Sequence, residues 1–420
     1  MAESQLVGTA LLRDFGWGRR LAAGTVCLLL AVAAPPRATA AETPSALAAL
    51  GRSIFFDPTL SASGRLSCAS CHDPSHAYGP PNARAVQLGG AAMDRQGPRA
   101  VPSLRYVLNR TPAWSKQYVS NPVERLLEPD EAPSGGFGWD GRFNNLRDQA
   151  AFPLLSPDEM ANADATQVAA RLRHAPYADS FRLLFGQNIF DDPQAAYARA
   201  LAALERFELE DASFHPYTSR YDAYLDGTVK LTTQEQHGLA LFDDPANGNC
   251  ASCHLDKKGA DGSHPLFTDY QFEALGVPRN DELAANADRE HFDMGACGPL
   301  RRDQAQQRQY CGLFKTPTLR NVAIRRVFFH NGRFHDLKAA LRFYVRRDTD
   351  PARWYPLTVD GKADKFNDLP PALRGNVDVI DEPLTRHEGA AAAWSDADID
   401  DVIAFLQTLN DRDAVTAAGD

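Results

Sequence analysis

The chain has 420 residues, 44% of them hydrophobic, and a formal net charge of −10. That length allows two domains of ordinary size, each burying its own core. The acidic balance argues against a nucleic-acid partner and fits a partner with a basic patch, though net charge mostly reports solubility and steering.

The first forty residues hold Arg13, Arg19 and Arg20, then an apolar run from Leu21 to Ala34, then Ala38-Thr39-Ala40. Positive charge, a short apolar stretch and small residues before a cut form a secretory signal. The apolar run is too short to cross a bilayer. Residues 1–40 are therefore expected to be a signal peptide cleaved near Ala40. The mature chain would be periplasmic, without a membrane span, and would carry a charge near −12, because the leader holds four arginines and two acids.

Leu50-Gly-Arg-Ser-Ile-Phe-Phe56 predicts a short apolar helix leading into Cys68-Ala-Ser-Cys71-His72. The same order returns where His237-Gly-Leu-Ala-Leu-Phe242 leads into Cys250-Ala-Ser-Cys253-His254. C-x-x-C-H attaches haem c: both thiols add to the vinyl groups and the adjacent histidine becomes an axial iron ligand. One copy alone could equally be half a zinc site or a redox dithiol. Two copies behind an export signal favour two covalently attached haem c groups. Outside the leader, Cys297 and Cys311 remain, a pair suited to a disulfide in an oxidising compartment.

The repeat extends further, with Val101-Pro-Ser-Leu-Arg105 matched by Thr316-Pro-Thr-Leu-Arg320, and Trp139-Asp-Gly-Arg-Phe143 by His330-Asn-Gly-Arg-Phe334. Asp192-Pro193 opens an amphipathic helix running to Glu208, and Ser395 opens another with Ile399, Val402, Ile403 and Leu406 on one face. Sheet signals are sparse. The expected fold is mainly α, with two cytochrome-c-like haem domains related by internal duplication, residues 41–220 and 221–420. The boundary is placed near 212–228, where Pro216 and Gly227 interrupt the helices. Laying Trp139 on His330 sets Pro153 against Tyr344. Proline cannot bind iron through its side chain, whereas a tyrosine phenolate can occupy an axial site. If this position faces each haem, the first iron is open and the second is closed.

From Leu50 to Leu409 the chain resembles the bacterial di-haem cytochrome c peroxidases and their relatives MauG and MbnH. The most specific segments are Trp139-Asp-Gly-Arg through Gln149, Pro153 and Glu159-Met160, and Lys315-Thr-Pro-Thr-Leu-Arg-Asn-Val322 through Phe329-His-Asn-Gly332. The resemblance implies that Trp139 lies between the haems and carries electrons, and that Gln149 and Glu159 line the peroxide pocket of the first haem. Glu159 would move the proton that peroxide cleavage requires, and Gln149 would orient peroxide.

Tyr344 matches the MauG type, where peroxidases fed by small redox proteins have methionine. Phe343 to Pro351, Trp354-Tyr-Pro356 and Asp364 to Pro370 look most like the MbnH group. The implied function is peroxide-driven oxidation of a residue, in that group tryptophan, on a periplasmic partner protein through a bis-Fe(IV) state. A cytochrome c peroxidase detoxifying hydrogen peroxide and a di-haem electron carrier are the alternatives. The family's calcium site is doubtful here, since Ala100 or Val101, Arg325 and Val327 stand at its positions, and Arg325 or Arg326 could supply the charge instead. No tryptophan precedes Cys250, leaving Trp354 and Trp394 as relay candidates. Met294 is an alternative ligand to Tyr344, and His76 could bind the open iron at rest.

Overall fold

Helix signals in the sequence become helices because caps and apolar faces coincide. Ser45 accepts from the Ala48 amide and opens α1 (Ala46–Phe55). A single turn, α2 (Cys68–Cys71), carries the first cysteine pair; Asn145 then caps α3 (Leu146–Leu155), Asp164 caps α4 (Ala165–His174), and α5 (Ala178–Phe185) follows. Asp192 with Pro193 starts the long α6 (Pro193–Glu210). The second half runs through α7 (Arg220–Leu225), α8 (Thr233–Asp243), the cysteine turn α9 (Cys250–Cys253), α10 (Leu337–Arg346), α11 (Asp396–Gln407) and α12 (Arg412–Ala417), so that α8, α9, α10 and α11 follow the order of α1, α2, α3 and α6. Among the described residues, strands form three antiparallel ribbons, of which Phe272–Glu273 with Phe314–Lys315 belongs to the second half. This computed structural model describes residues 44–106, 110–117 and 132–417; the expected leader lies outside them.

The duplication is visible in backbone packing. α1 crosses α6 and α8 crosses α11, each so closely that a side chain has no room: a Cβ on Gly51 would lie 1.9 Å from the Ala203 carbonyl oxygen, and one on Gly238 2.0 Å from that of Asp401. α3 and α10 have ten residues each, and their first residues, their caps Asn145 and Asp336, and the bridges Phe137–Phe143 and Phe328–Phe334 are all 191 apart. That is the register that pairs Pro153 with Tyr344.

Two hydrophobic clusters result. One gathers Leu50, Phe55, Leu146, Leu204 and Phe207; the other gathers Tyr221, Phe242, Ile399, Val402 and Phe405. Each fully buried side chain of this size contributes about 1.5–3 kcal/mol. A third, smaller cluster surrounds the disulfide between Cys297 and Cys311 and includes Met294. α-Helix is interrupted at 211–219 and again at 226–232, around Pro216 and Gly227, and between the breaks Ser219 and Asp222 form a capping box that starts α7, with Tyr221 buried in the second cluster.

The halves are fastened together. Asp411, fully buried, accepts from Tyr106 (2.5 Å) and Arg105 (3.1 Å) of the first half and from Asn321 (2.7 Å) of the second. Among the described residues no helix is long and apolar enough to cross a membrane.

Candidate functional site

Each cysteine turn ends in a histidine whose ring is fixed by a backbone carbonyl. His72 Nδ1 donates to Tyr78 O at 3.1 Å, and His254 Nδ1 donates to Phe267 O at 2.9 Å. This leaves Nε2 of each ring with its lone pair, the tautomer an axial ligand requires. Burial pulls both imidazoles down to about 4, so both rings are neutral. The four thiols beside them are unpaired with one another, and burial pushes each up to about 12.

A cavity adjoins each turn. The first is walled by Cys68, Cys71, His72, Gln149, Pro153 and Glu159. The second is walled by Cys250, Cys253, His254, Tyr344, Trp394 and Leu406. Both have largely apolar walls with a histidine and two thiols at one side, which fits a haem held covalently in each. Trp139 and Gln149 line both, so the cavities meet at these side chains. Every residue the sequence assigned to the first site is thus gathered there, and Tyr344 lies in the second.

Pro153 interrupts α3 and cannot donate to the Gln149 carbonyl one turn earlier, so the backbone loosens where the site needs shape. Glu159 follows the helix in a turn closed by its amide bonding to Ser156 O. Gly89 packs against this turn, where a Cβ would come within 2.3 Å of Asp158 O. One Glu159 carboxyl oxygen is buried without a hydrogen-bond partner. Burial pushes Glu159 up to about 7, against the opposing pull of Arg142. Arg142 is held by Asp140 at 2.9 Å and lies over the rings of Phe143 and Phe152.

Trp139 Nε1 donates to Ala100 O at 2.8 Å, and the Ala100 amide donates to His330 O at 2.8 Å. One residue therefore joins the duplicated positions 139 and 330 across the halves. Nearby, Arg325 donates to Val101 O at 3.0 Å and to Val327 O at 3.3 Å, so its guanidinium links two of the positions at which the family resemblance places calcium, and burial draws that guanidinium down to about 10. Arg326 is exposed.

In the second cavity, burial pushes the Tyr344 phenol well above the ordinary range, so a bound metal centre would have to draw its proton off. Lys315 lines the same cavity; burial lowers it to about 8, and it donates to Gly136 O. Met294 packs beside the disulfide rather than in this cavity's wall. His76 is engaged with Asp73 at 3.0 Å. Trp354 donates to Arg346 O at 3.1 Å, while Trp394, buried with its Nε1 unpartnered, lines the second cavity.

Glu208 was read only as the end of an amphipathic helix. It is buried in the wall of the first cavity with one oxygen unpaired. The available signal was its position four residues after Leu204 on the apolar face.

Residues 45–230 match the family model described as di-haem cytochrome c peroxidase. The chain is 33% identical over 393 residues to the methylamine utilization protein MauG of Paracoccus denitrificans, covering 91% of this chain and 94% of that one. It is similar to the crystal structure of the diheme peroxidase BthA from Burkholderia thailandensis, with a TM-score of 0.78 and 40% identity over 91% of this chain and 90% of that chain. A MauG-like protein associated with microbial copper homeostasis shares the fold, with a TM-score of 0.59 and 24% identity over 89% and 91% of the two chains.

Proposed function

Since the chain belongs to the di-haem cytochrome c peroxidase and MauG family and is a di-haem, peroxidase-type oxidoreductase, we propose that it works in the periplasm and uses hydrogen peroxide to oxidise a residue, tryptophan in the first instance, of a partner protein. Cys68, Cys71 and His72 would hold one haem covalently, and Cys250, Cys253, His254 and Tyr344 the other, within domains 41–220 and 221–420. When bound, haem supplies iron centres that exchange single electrons with peroxide and with each other. The observation that carries this reading is the difference at one duplicated position, Pro153 against Tyr344, on either side of Trp139.

Reducing peroxide to two waters takes two electrons and two protons. Glu159 takes the proton from one peroxide oxygen and returns it to the other, which leaves as water. Gln149 orients peroxide by hydrogen bonding. Pro153 offers no ligand atom, so a haem in the first cavity would keep a site free for peroxide, while the Tyr344 oxygen would help hold the haem of the second cavity and favour oxidised forms. Trp139 passes electrons between the cavities. The electrons come from the partner's side chain, so the substrate site is a surface and the only small-molecule site required is the one for peroxide.

The test is electron paramagnetic resonance of the resting ferric holoprotein, then Mössbauer spectroscopy after rapid mixing with one equivalent of peroxide. One high-spin and one low-spin ferric haem, giving a doubly oxidised protein that persists until a partner protein is added, is the expected result. Two low-spin haems unmoved by peroxide would overturn it. Fast steady turnover with a reduced small redox protein, with no lasting oxidised state, would replace it with peroxide detoxification.

A further inference from the structure

Glu208 has no part in that scheme, yet its surroundings are those of a working group. It lies on the last turn of α6, is 4% exposed, and presents an unpartnered oxygen in the wall of the first cavity, near Leu204 and Cys68. Leaving a buried acceptor unsatisfied costs stability, because the group loses its water without gaining a partner.

The second half shows what the same position looks like without a carboxyl. Ala203 and Phe207 oppose Gly51 as Asp401 and Phe405 oppose Gly238, a register of 198 residues. It lays Leu204 on Val402 and Glu208 on Leu406, and both Val402 and Leu406 line the second cavity. The fold therefore accepts leucine at this point of the wall, and the first half carries an acid there instead.

The charges facing Glu208 are acidic or engaged elsewhere. On its own helix is Glu205, which pairs with Arg147 of α3 at 2.6 Å. Cys68 feels both Glu208 and Glu159. On the helices packed against α6, Arg52 lies over the Phe56 ring, Arg171 donates to Asn162 and Arg173 pairs with Asp191. Burial, with Glu205 beside it, pushes Glu208 up to about 8.

We propose that Glu208 is a proton-coupling residue for the haem of the first cavity: its carboxyl releases a proton to solvent when that haem loses an electron and regains one when the haem is reduced. The electron goes to peroxide, or to a redox mediator in the experiment below, so one positive charge leaves for each negative charge and the buried cavity stays constant in charge. The inference rests on the first cavity holding a haem, as proposed above, and is independent of peroxide chemistry and of any partner.

The test is a spectroelectrochemical titration of the holoprotein at a series of pH values, without peroxide, resolving both haems. Wild type and Glu159→Gln should show a first-haem potential that falls as pH rises, over a range reaching about pH 8. Glu208→Gln and Glu208→Leu should lose that slope, with the second haem responding alike in all four proteins. Glu208→Leu installs the residue the second half already packs, and Glu208→Gln keeps the shape. A slope that survives both substitutions, one that vanishes only in Glu159→Gln, or a wild-type potential independent of pH would each overturn the proposal. A protein that shows the slope but ignores peroxide would overturn the proposed function and leave this inference standing.

Discussion

At matched places in the duplicated frame the first cavity carries Gln149, Pro153 and Glu208, and the second carries Ala340, Tyr344 and Leu406. The backbone around them is nearly the same in both: equal helices, caps at equal distances, and glycine crossings with the same clearance. The second cavity sets a phenol and a leucine where the first has Pro153 and Glu208, and its wall also carries Lys315 and Glu273, the latter pushed up by burial to about 8, while the first holds two buried acids with unpaired oxygens. The frame fixes where a group sits and the individual side chain decides its chemistry. Keeping buried polar atoms unpaired costs stability, which a site accepts where its chemistry needs them.

The widest break in this comparison comes from Glu159→Gln, which should slow the reaction with peroxide by roughly 10²–10⁴-fold while leaving both haem spectra in place, measured by stopped-flow absorbance. The carboxyl must be ionised to accept the peroxide proton, so the wild-type rate should climb with pH and level off above about 7. That limb should vanish in the variant; an unchanged profile would remove Glu159 from the chemistry.

A smaller effect sharpens the likeness of the two frames. Gly51→Ala and Gly238→Ala force a methyl into the same backbone contact, and each should cost roughly 1–3 kcal/mol in urea denaturation. A cost confined to one of them would mean that the two crossings are not equivalent in solution. The smallest change is local: Tyr344→Phe should alter the spectrum and ligand field of one haem only, with peroxide binding at the other unaffected. Unaltered spectra would assign the second axial position to another side chain.

Much of this was legible in the sequence because it is written in short strings. The two pentapeptides located the cysteine turns and the cavities beside them. Trp139-Asp-Gly-Arg against His330-Asn-Gly-Arg gave the 191-residue register that α3 and α10 follow, and Asp192 and Ser395 marked the starts of α6 and α11. Gln149 and Glu159 could be grouped by the family resemblance and Pro153 by the repeat, and the three lie on one helix and the turn after it. Glu208 could not, since its register is 198 rather than 191: loops of different length intervene, so the offset that matched Pro153 with Tyr344 does not carry over to α6 and α11. Arg325 was named only as a source of charge; that it spans the Val101 and Val327 carbonyls depends on two segments more than 200 residues apart. The short α7 escaped notice because six residues show too little periodicity to stand out from a loop.

Asp411 has a consequence for the clock of the molecule. Electron hops between centres slow steeply as the gap between them widens, so two sites riding on a hinge would keep no single rate. A buried carboxylate gripped by Arg105 and Tyr106 from one half and Asn321 from the other removes that hinge. The last seven described residues therefore act as a fastener: a polypeptide ending before Asp411 would retain both pentapeptides and every cavity-lining residue named above, yet the spacing between its two cavities would drift.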